Sequence, residues 1–139
     1  MKNSSQIVVV DDQPDIREMT ALVLEGAGYE VVTKATGIEA LEYLACHTCQ
    51  LVLLDINMPD MDGWETLRLI RADDDLSELP VVMFSVKNEV QDRVLGMQEG
   101  AVDYITKPFE VDQLLYRVRR VLDGRRGGEP RRSFAQPQP

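Results

Sequence analysis

The chain has one histidine (His47), two cysteines (Cys46 and Cys49), and no apolar stretch near the roughly 20 residues that a membrane span needs. The last absence leaves no candidate membrane-spanning helix in this sequence, and no membrane contact is expected. The N-terminal Met1-Lys-Asn-Ser-Ser-Gln6 lacks a leader-like apolar segment, so the expected compartment is the cytoplasm. Cys46-His-Thr-Cys49 has no second pair to complete four zinc ligands, and a disulfide would be unusual in that compartment. The two thiols therefore read as reduced. A basic face is also missing. The formal charge of −9 argues against a generic nucleic-acid binder, and direct nucleic-acid contact by this chain is not expected.

A length of 139 residues fits one domain with an adequate core, and no internal repeat is evident. The charge is uneven. Residues 124–139 carry Arg125, Arg126, Arg131 and Arg132 against Glu129, a net of +3, which leaves −12 on residues 1–123. That tail is rich in Gly, Pro and Gln and almost devoid of apolar residues. It cannot bury enough surface to offset its ordering entropy, and it reads as a disordered tail or linker after a domain of residues 1–123.

Within the domain, short β-branched runs alternate with helical patterns. Strands are expected near Gln6–Val10, Glu30–Lys34, Leu51–Leu54, Pro80–Phe84 and Val102–Ile105. The first, third and fourth are apolar almost throughout, as strands covered on both faces must be. Helical spacing links Ile16, Met19, Leu22 and Val23, with Pro14 suited to the first turn and Gly26 and Gly28 as stops. It recurs at Ile38, Leu41, Leu44 and Ala45, at Leu67 and Ile70, and at Val90, Val94 and Met97 before Gly100. The last helix has the clearest stripe: Val111, Leu114, Leu115, Val118, Val121 and Leu122. Five such alternations imply a five-stranded parallel sheet with helices on both faces, and the flavodoxin-like (βα)5 fold is the known arrangement of that kind. Ligands bind such sheets beyond the carboxyl ends of the strands, and order 2-1-3-4-5 would gather four polar strand ends there.

Those ends carry matched chemistry. Asp11-Asp12 follows strand one, Asp55 ends strand three, Ser85 follows strand four, and Lys107 follows strand five. Three carboxylates in one pocket cannot all stay ionised uncompensated. A hard cation with open positions, Mg²⁺, is the natural partner. Lys107 offers a charge to an incoming anion, and Ser85 offers a hydroxyl. A carboxylate nucleophile with these partners describes a phosphoryl-transfer site.

Asp11-Asp12, Asp55 with Met58-Pro59 and Gly63, Ser85, Tyr104 and Lys107-Pro108 resemble the response-regulator receiver domains of two-component signalling over about residues 5–123. The resemblance implies a phosphorelay switch in which Asp55 accepts a phosphoryl group from a histidine kinase or phosphotransfer protein. It implies Mg²⁺ on Asp12 and Asp55 directly, on Asp11 through water, and on the Asn57 main-chain carbonyl. Ser85 and Lys107 would bind the phosphoryl oxygens, and the Lys107–Pro108 bond would be cis. Ser85 and Tyr104 would form the switch pair, the ring moving inward and repacking the face of the fourth predicted helix, strand five and the last helix. Such a protein is a phosphoacceptor taking part in phosphotransfer and its own dephosphorylation, not an enzyme. Asp92–Phe109 resembles most the winged-helix transcription-factor branch. Arg93, Glu99, Asp103 and Arg117 match charged positions of that branch's phosphorylation-dependent homodimer, while Gln113 is neutral where a carboxylate is usual. Val86 stands where the family usually has a smaller residue. With its one histidine outside a kinase-type helical hairpin, the chain would receive a phosphoryl group rather than originate one. It would act alone or as the front piece of a longer chain.

Rival readings are weaker. Asp11-Asp12 could cap the first helix. The Asp55–Gly63 stretch fails as a calcium loop, with Pro59 where an oxygen ligand is needed. A haloacid-dehalogenase-type Mg²⁺ phosphatase also uses a strand-end aspartate, but it would want a second acid where Asn57 stands, and an amide cannot protonate a leaving group.

Overall fold

The computed structural model describes residues 5–85, 98 and 100–126. Five strands, β1 (Gln6–Val10), β2 (Glu30–Lys34), β3 (Leu51–Asp55), β4 (Val81–Ser85) and β5 (Asp103–Thr106), form one parallel sheet in the order β2-β1-β3-β4-β5. The described helices are α1 (Pro14–Gly26), α2 (Gly37–Cys46), α3 (Gly63–Ala72) and α4 (Val111–Arg126), the last being the final helix expected from sequence. The expected helix around Val90, Val94 and Met97, together with Val86, Arg93, Glu99 and residues 127–139, lies outside the described residues.

Side-chain alternation divides the core in two. Val8 and Val10 of β1 stand beside Val52 and Leu54 of β3, and these beside Val81 and Met83 of β4. With Ala40 and Leu44 of α2 and Leu67 and Ile70 of α3, they fill one face. Ile7, Val9, Leu51, Leu53, Val82 and Phe84 fill the other, against Leu24 of α1 and Leu114, Val118, Val121 and Leu122 of α4. Every β1, β3 and β4 side chain from Ile7, Leu51 and Val81 onward is buried, which is why those strands read as unbroken apolar runs. The edge strand β2 is only half-buried, matching its mixed sequence.

The structure departs from the sequence reading at several helix and strand ends. Met19 and Leu22 are exposed, while Thr20 and Leu24 are the buried residues of α1. Thr20 is accommodated because its hydroxyl donates to the Ile16 carbonyl at 2.7 Å, so its polar group is satisfied inside the helix. Ile38 and Val111 are likewise exposed, each near its helix start. Strands β4 and β5 begin one residue later than expected, and β3 extends to include Asp55. The helix α4 runs from Val111 through Gly124 to Arg126. A glycine in a helix costs about 1 kcal/mol relative to alanine.

Candidate functional site

The parallel sheet sets the site at the carboxyl ends of its central strands. Asp55 closes β3 and pairs with Phe84 of β4, placing Ser85 one residue further along the adjacent strand. Asp11 immediately follows β1, and Lys107 immediately follows β5. Each backbone ladder continues just far enough to fix these groups. The Asp11 N–H donates to the Lys34 carbonyl at 3.1 Å, the Ile56 N–H donates to the Phe84 carbonyl at 2.9 Å, and the Lys107 N–H donates to the Ser85 carbonyl.

Four polar side chains here are almost fully buried: Asp11, Asp55, Ser85 and Lys107. Oxygens of Asp11, Asp12 and Asp55 lie within 4.8 Å of one another. Lys107 Nζ donates to Asp11 Oδ2 at 2.7 Å and stands 3.3 Å from Asp55 Oδ1. It also lies 5.4 Å from the centre of the Phe84 ring, which stacks on Phe109 at 5.6 Å. The aromatic floor removes water from one side of the ammonium, which strengthens its hold on the carboxylates. Among the described residues, the Lys107 ammonium nonetheless faces three carboxylates. Burial pushes the Asp55 carboxyl up to about 6, the nearby Asp11 carboxylate pushes in the same direction, and Lys107 opposes both. No hydrogen bond or ion pair to the Asp12 side chain occurs among the described residues. A half-buried, uncompensated carboxylate beside two buried ones is a donor set that fits a hard divalent ion.

The loop after Asp55 is built around Gly63. A Cβ there would lie 2.3 Å from the Asp55 carbonyl oxygen and 2.8 Å from Ile56 Cα. Only glycine lets the first turn of α3 lie against the end of β3, and its N–H donates to the Ile56 carbonyl at 2.8 Å. Asp62 caps α3 by accepting from the Glu65 N–H at 3.0 Å. Asp60 takes a left-handed φ of 71°, tolerable for a short polar residue in a tight turn. The main-chain N–H of Asn57 donates to the Asp55 carboxylate.

Asp11 does not cap α1. The helix N-cap is Gln13, without a side-chain cap, and Asp11 Oδ1 instead accepts from the Gln13 N–H at 3.0 Å. Tyr104 is buried, beside Met83 in the sheet register, and the Lys107–Pro108 peptide is cis, as the resemblance implies. Of the four dimer-face residues, only Asp103 and Arg117 are described. They pair within one chain, Arg117 Nη1 lying 2.8 and 2.9 Å from the two carboxylate oxygens. Cys46 and Cys49 are both free, and burial pushes the Cys49 thiol up to about 11, away from the reactive thiolate form. Sequence reasoning passed over Phe84, Phe109 and Arg17.

A doubly wound parallel sheet with a carboxylate cluster and a buried lysine at its carboxyl edge defines a class of phosphoryl-handling α/β domains. The comparisons narrow it. The family described as response regulator receiver domain matches residues 7–119. RpaA of Synechocystis sp., a DNA-binding dual master transcriptional regulator, is 35% identical over 117 residues, covering 84% of this chain and 48% of its own. The DNA-binding response regulator MtrA of Mycolicibacterium smegmatis is 41% identical over 114 residues, covering 82% and 49%. Among solved structures, the Vibrio cholerae chemotaxis protein CheY4 superposes with a TM-score of 0.82 at 32% identity, covering 86% of this chain and 100% of its own. A putative response regulator from Chloroflexus aurantiacus gives 0.84 at 34%, covering 87% and 99%. This chain belongs to the response regulator receiver domain family of two-component signalling. It spans about half the length of the curated relatives it matches.

Proposed function

We propose that the domain is a phosphorylation-driven signalling switch whose acceptor is Asp55. The supporting observation is the burial of the Asp55 carboxylate 3.3 Å from Lys107 and within 4.8 Å of oxygens of Asp11 and Asp12. An Asp55 oxygen would form the new O–P bond as the N–P bond of a kinase's or phosphotransfer protein's phosphohistidine breaks. The electron pair of that bond stays on the donor imidazole. Lys107 would then turn from a carboxylate partner into a phosphoryl partner, and the Ser85 hydroxyl would donate to a second phosphoryl oxygen. Asp12, Asp55 and the Asn57 carbonyl would hold Mg²⁺, with Asp11 contacting it through water. The ion would supply charge neutralisation for the transferring group. The chain would accept and lose the phosphoryl group without turning over a separate substrate.

The signal would leave through Ser85 and Tyr104 to the surface around β5 and α4, where a partner or a second copy could read it. Asp103 and Arg117 already satisfy one another within the chain. A homodimer using them, with Arg93 and Glu99, would have to share or exchange that pair. Sedimentation with a phosphoryl mimic bound tests this; a persistent monomer argues against it. RpaA and MtrA are named as DNA-binding proteins. In this reading the receiver spans residues 1–123, residues 124–139 link or trail it, and DNA contact belongs to parts of those relatives outside the match. No described helix is long and apolar enough to cross a membrane, and the proposed setting is the cytoplasm.

The test is incubation with a small phosphodonor, with Mg²⁺ or with a chelator, followed by intact-mass measurement. One base-labile phosphoryl adduct is expected with Mg²⁺, and none with the chelator. Turnover of a phosphomonoester, or no adduct at all, overturns the reading.

A further inference from the structure

We propose that Arg17 is a positioning residue for the metal-binding loop between β1 and α1, acting through the main-chain carbonyl of Asp11. Asp11 is fully buried, and β1 ends at Val10, so its carbonyl lies past the end of the strand. Such a buried acceptor is costly unless something donates to it. Local backbone donors are scarce, because α1 begins at Pro14, which has no N–H. Arg17 fills the gap from one turn into α1: its Nη1 donates to the Asp11 carbonyl at 2.8 Å.

The other polar groups of Asp11 are also engaged. Its N–H donates to Lys34, its Oδ1 accepts from Gln13, and its Oδ2 accepts from Lys107. Asp12 sits between two residues thus tied down, Asp11 and Gln13, and its own side chain has no partner among the described residues. Among the described residues, the backbone that presents Asp12 is therefore held by the Arg17 guanidinium, one Asx-type turn, the strand hydrogen bond of the Asp11 N–H, and the Arg17 N–H donated to the Gln13 carbonyl at 2.9 Å. Of these, the guanidinium is the one that a side-chain substitution removes without touching a carboxylate. It joins the start of α1 to the end of β1 and keeps the loop at the spacing Asp12 needs to share an ion with Asp55.

A rival role makes the opposite prediction. If Arg17 acted only by its charge, it would repel a cation, and removing it would tighten Mg²⁺ binding. If it positions the loop, removing it weakens binding although a repelling charge has gone. This inference rests on the reading of the site as an Mg²⁺ and phosphoryl site.

The experiment is calorimetric titration of Mg²⁺ into wild type, Arg17→Ala and Arg17→Lys, with melting curves of each in chelator. Arg17→Ala is expected to bind Mg²⁺ about tenfold more weakly, the low end of what outer-shell partners of metal ligands contribute. Arg17→Lys, which keeps a donor and the charge, falls between the two. At saturating Mg²⁺ the phosphorylation rate of both variants returns close to that of wild type, as it should for a residue that never touches the phosphoryl group. Unchanged or tighter binding in Arg17→Ala overturns the proposal, as does an equal loss in both variants. Should Arg17→Ala not fold, Arg17→Lys decides alone: binding equal to or tighter than wild type refutes the role. Wild type that binds no Mg²⁺ removes the reading of the site itself, an outcome distinct from wild type that binds while the variants match it.

Discussion

Asp55→Asn is expected to lose the base-labile phosphoryl adduct completely and, in metal-free buffer at neutral pH, to unfold at a higher temperature than wild type. The first half follows from the nucleophile. An amide nitrogen or oxygen cannot replace the carboxylate oxygen as acceptor, so an adduct that persisted in the variant would place the acceptor elsewhere. The second half follows from burial. Asp55 is almost fully enclosed, and its carboxyl is pushed up to about 6 chiefly by desolvation, above its value in the unfolded chain.

Well below the unfolded value of 3.8, folded and unfolded states both hold the proton and the site costs nothing. As pH rises through the unfolded value, only the folded state still binds the proton, so stability falls until about pH 6 and then levels. A tenfold difference in proton affinity between the two states is worth about 1.4 kcal/mol, so the penalty at pH 7.5 is about 2–3 kcal/mol. Asparagine carries no such penalty. The gap between variant and wild type should therefore open between pH 4 and pH 6 and close in strong acid. Saturating Mg²⁺ should narrow it at neutral pH by stabilising wild type preferentially. Melting curves in chelator across pH check the sign; a variant less stable than wild type at pH 7.5 contradicts it.

The second large effect is steric. Gly63→Ala places a methyl group 2.3 Å from the Asp55 carbonyl oxygen, and the obstruction is backbone rather than a flexible side-chain end. Either α3 or the end of β3 must move. Overpacking of this kind costs about 1–3 kcal/mol, and the upper part of that range is expected because no side chain can rotate away. For a domain of this size the loss corresponds to roughly 10 °C in melting temperature. Phosphorylation by a small donor should slow as well, because the displaced group is the main chain of Asp55, the proposed acceptor. Gly26→Ala is the control: nothing lies within 4 Å of a Cβ there, and its stability should match or slightly exceed wild type. Similar melting temperatures for the two variants would refute the packing argument.

Much of this fold could be read from residue order. The runs Ile7–Val10, Leu51–Leu54 and Val81–Phe84 are apolar on both faces because helices cover both sides of the sheet, and the half-polar Glu30–Lys34 run lies at an edge. Helix faces were less legible. Met19 and Leu22 fit an apolar stripe but are exposed, and buried Thr20 was passed over because its hydroxyl finds a partner only once the helix has formed. The candidate site divides the same way. Asp11, Asp12, Asp55 and Lys107 stand out because charge directly after an apolar strand is unusual and costly. Arg17 and Phe84 do not, since their parts depend on a carbonyl and an ammonium distant in sequence or engaged only in the folded chain.

By itself, then, the sequence determined the alternation of strands and helices, the sheet that follows from it, and the charged groups that end the strands. Those are local patterns whose energies depend on neighbours a few residues away. Tertiary structure decided the rest. It brought Lys107 to within hydrogen-bonding distance of Asp11, 96 positions earlier, slid Phe84 beneath its ammonium, and left Asp12 facing the cluster without a counter-charge among the described residues. Desolvation and pairing depend on which strands become neighbours, so the raised proton affinity of Asp55 is a property of the assembled sheet rather than of the Leu51–Gly63 sequence that contains it.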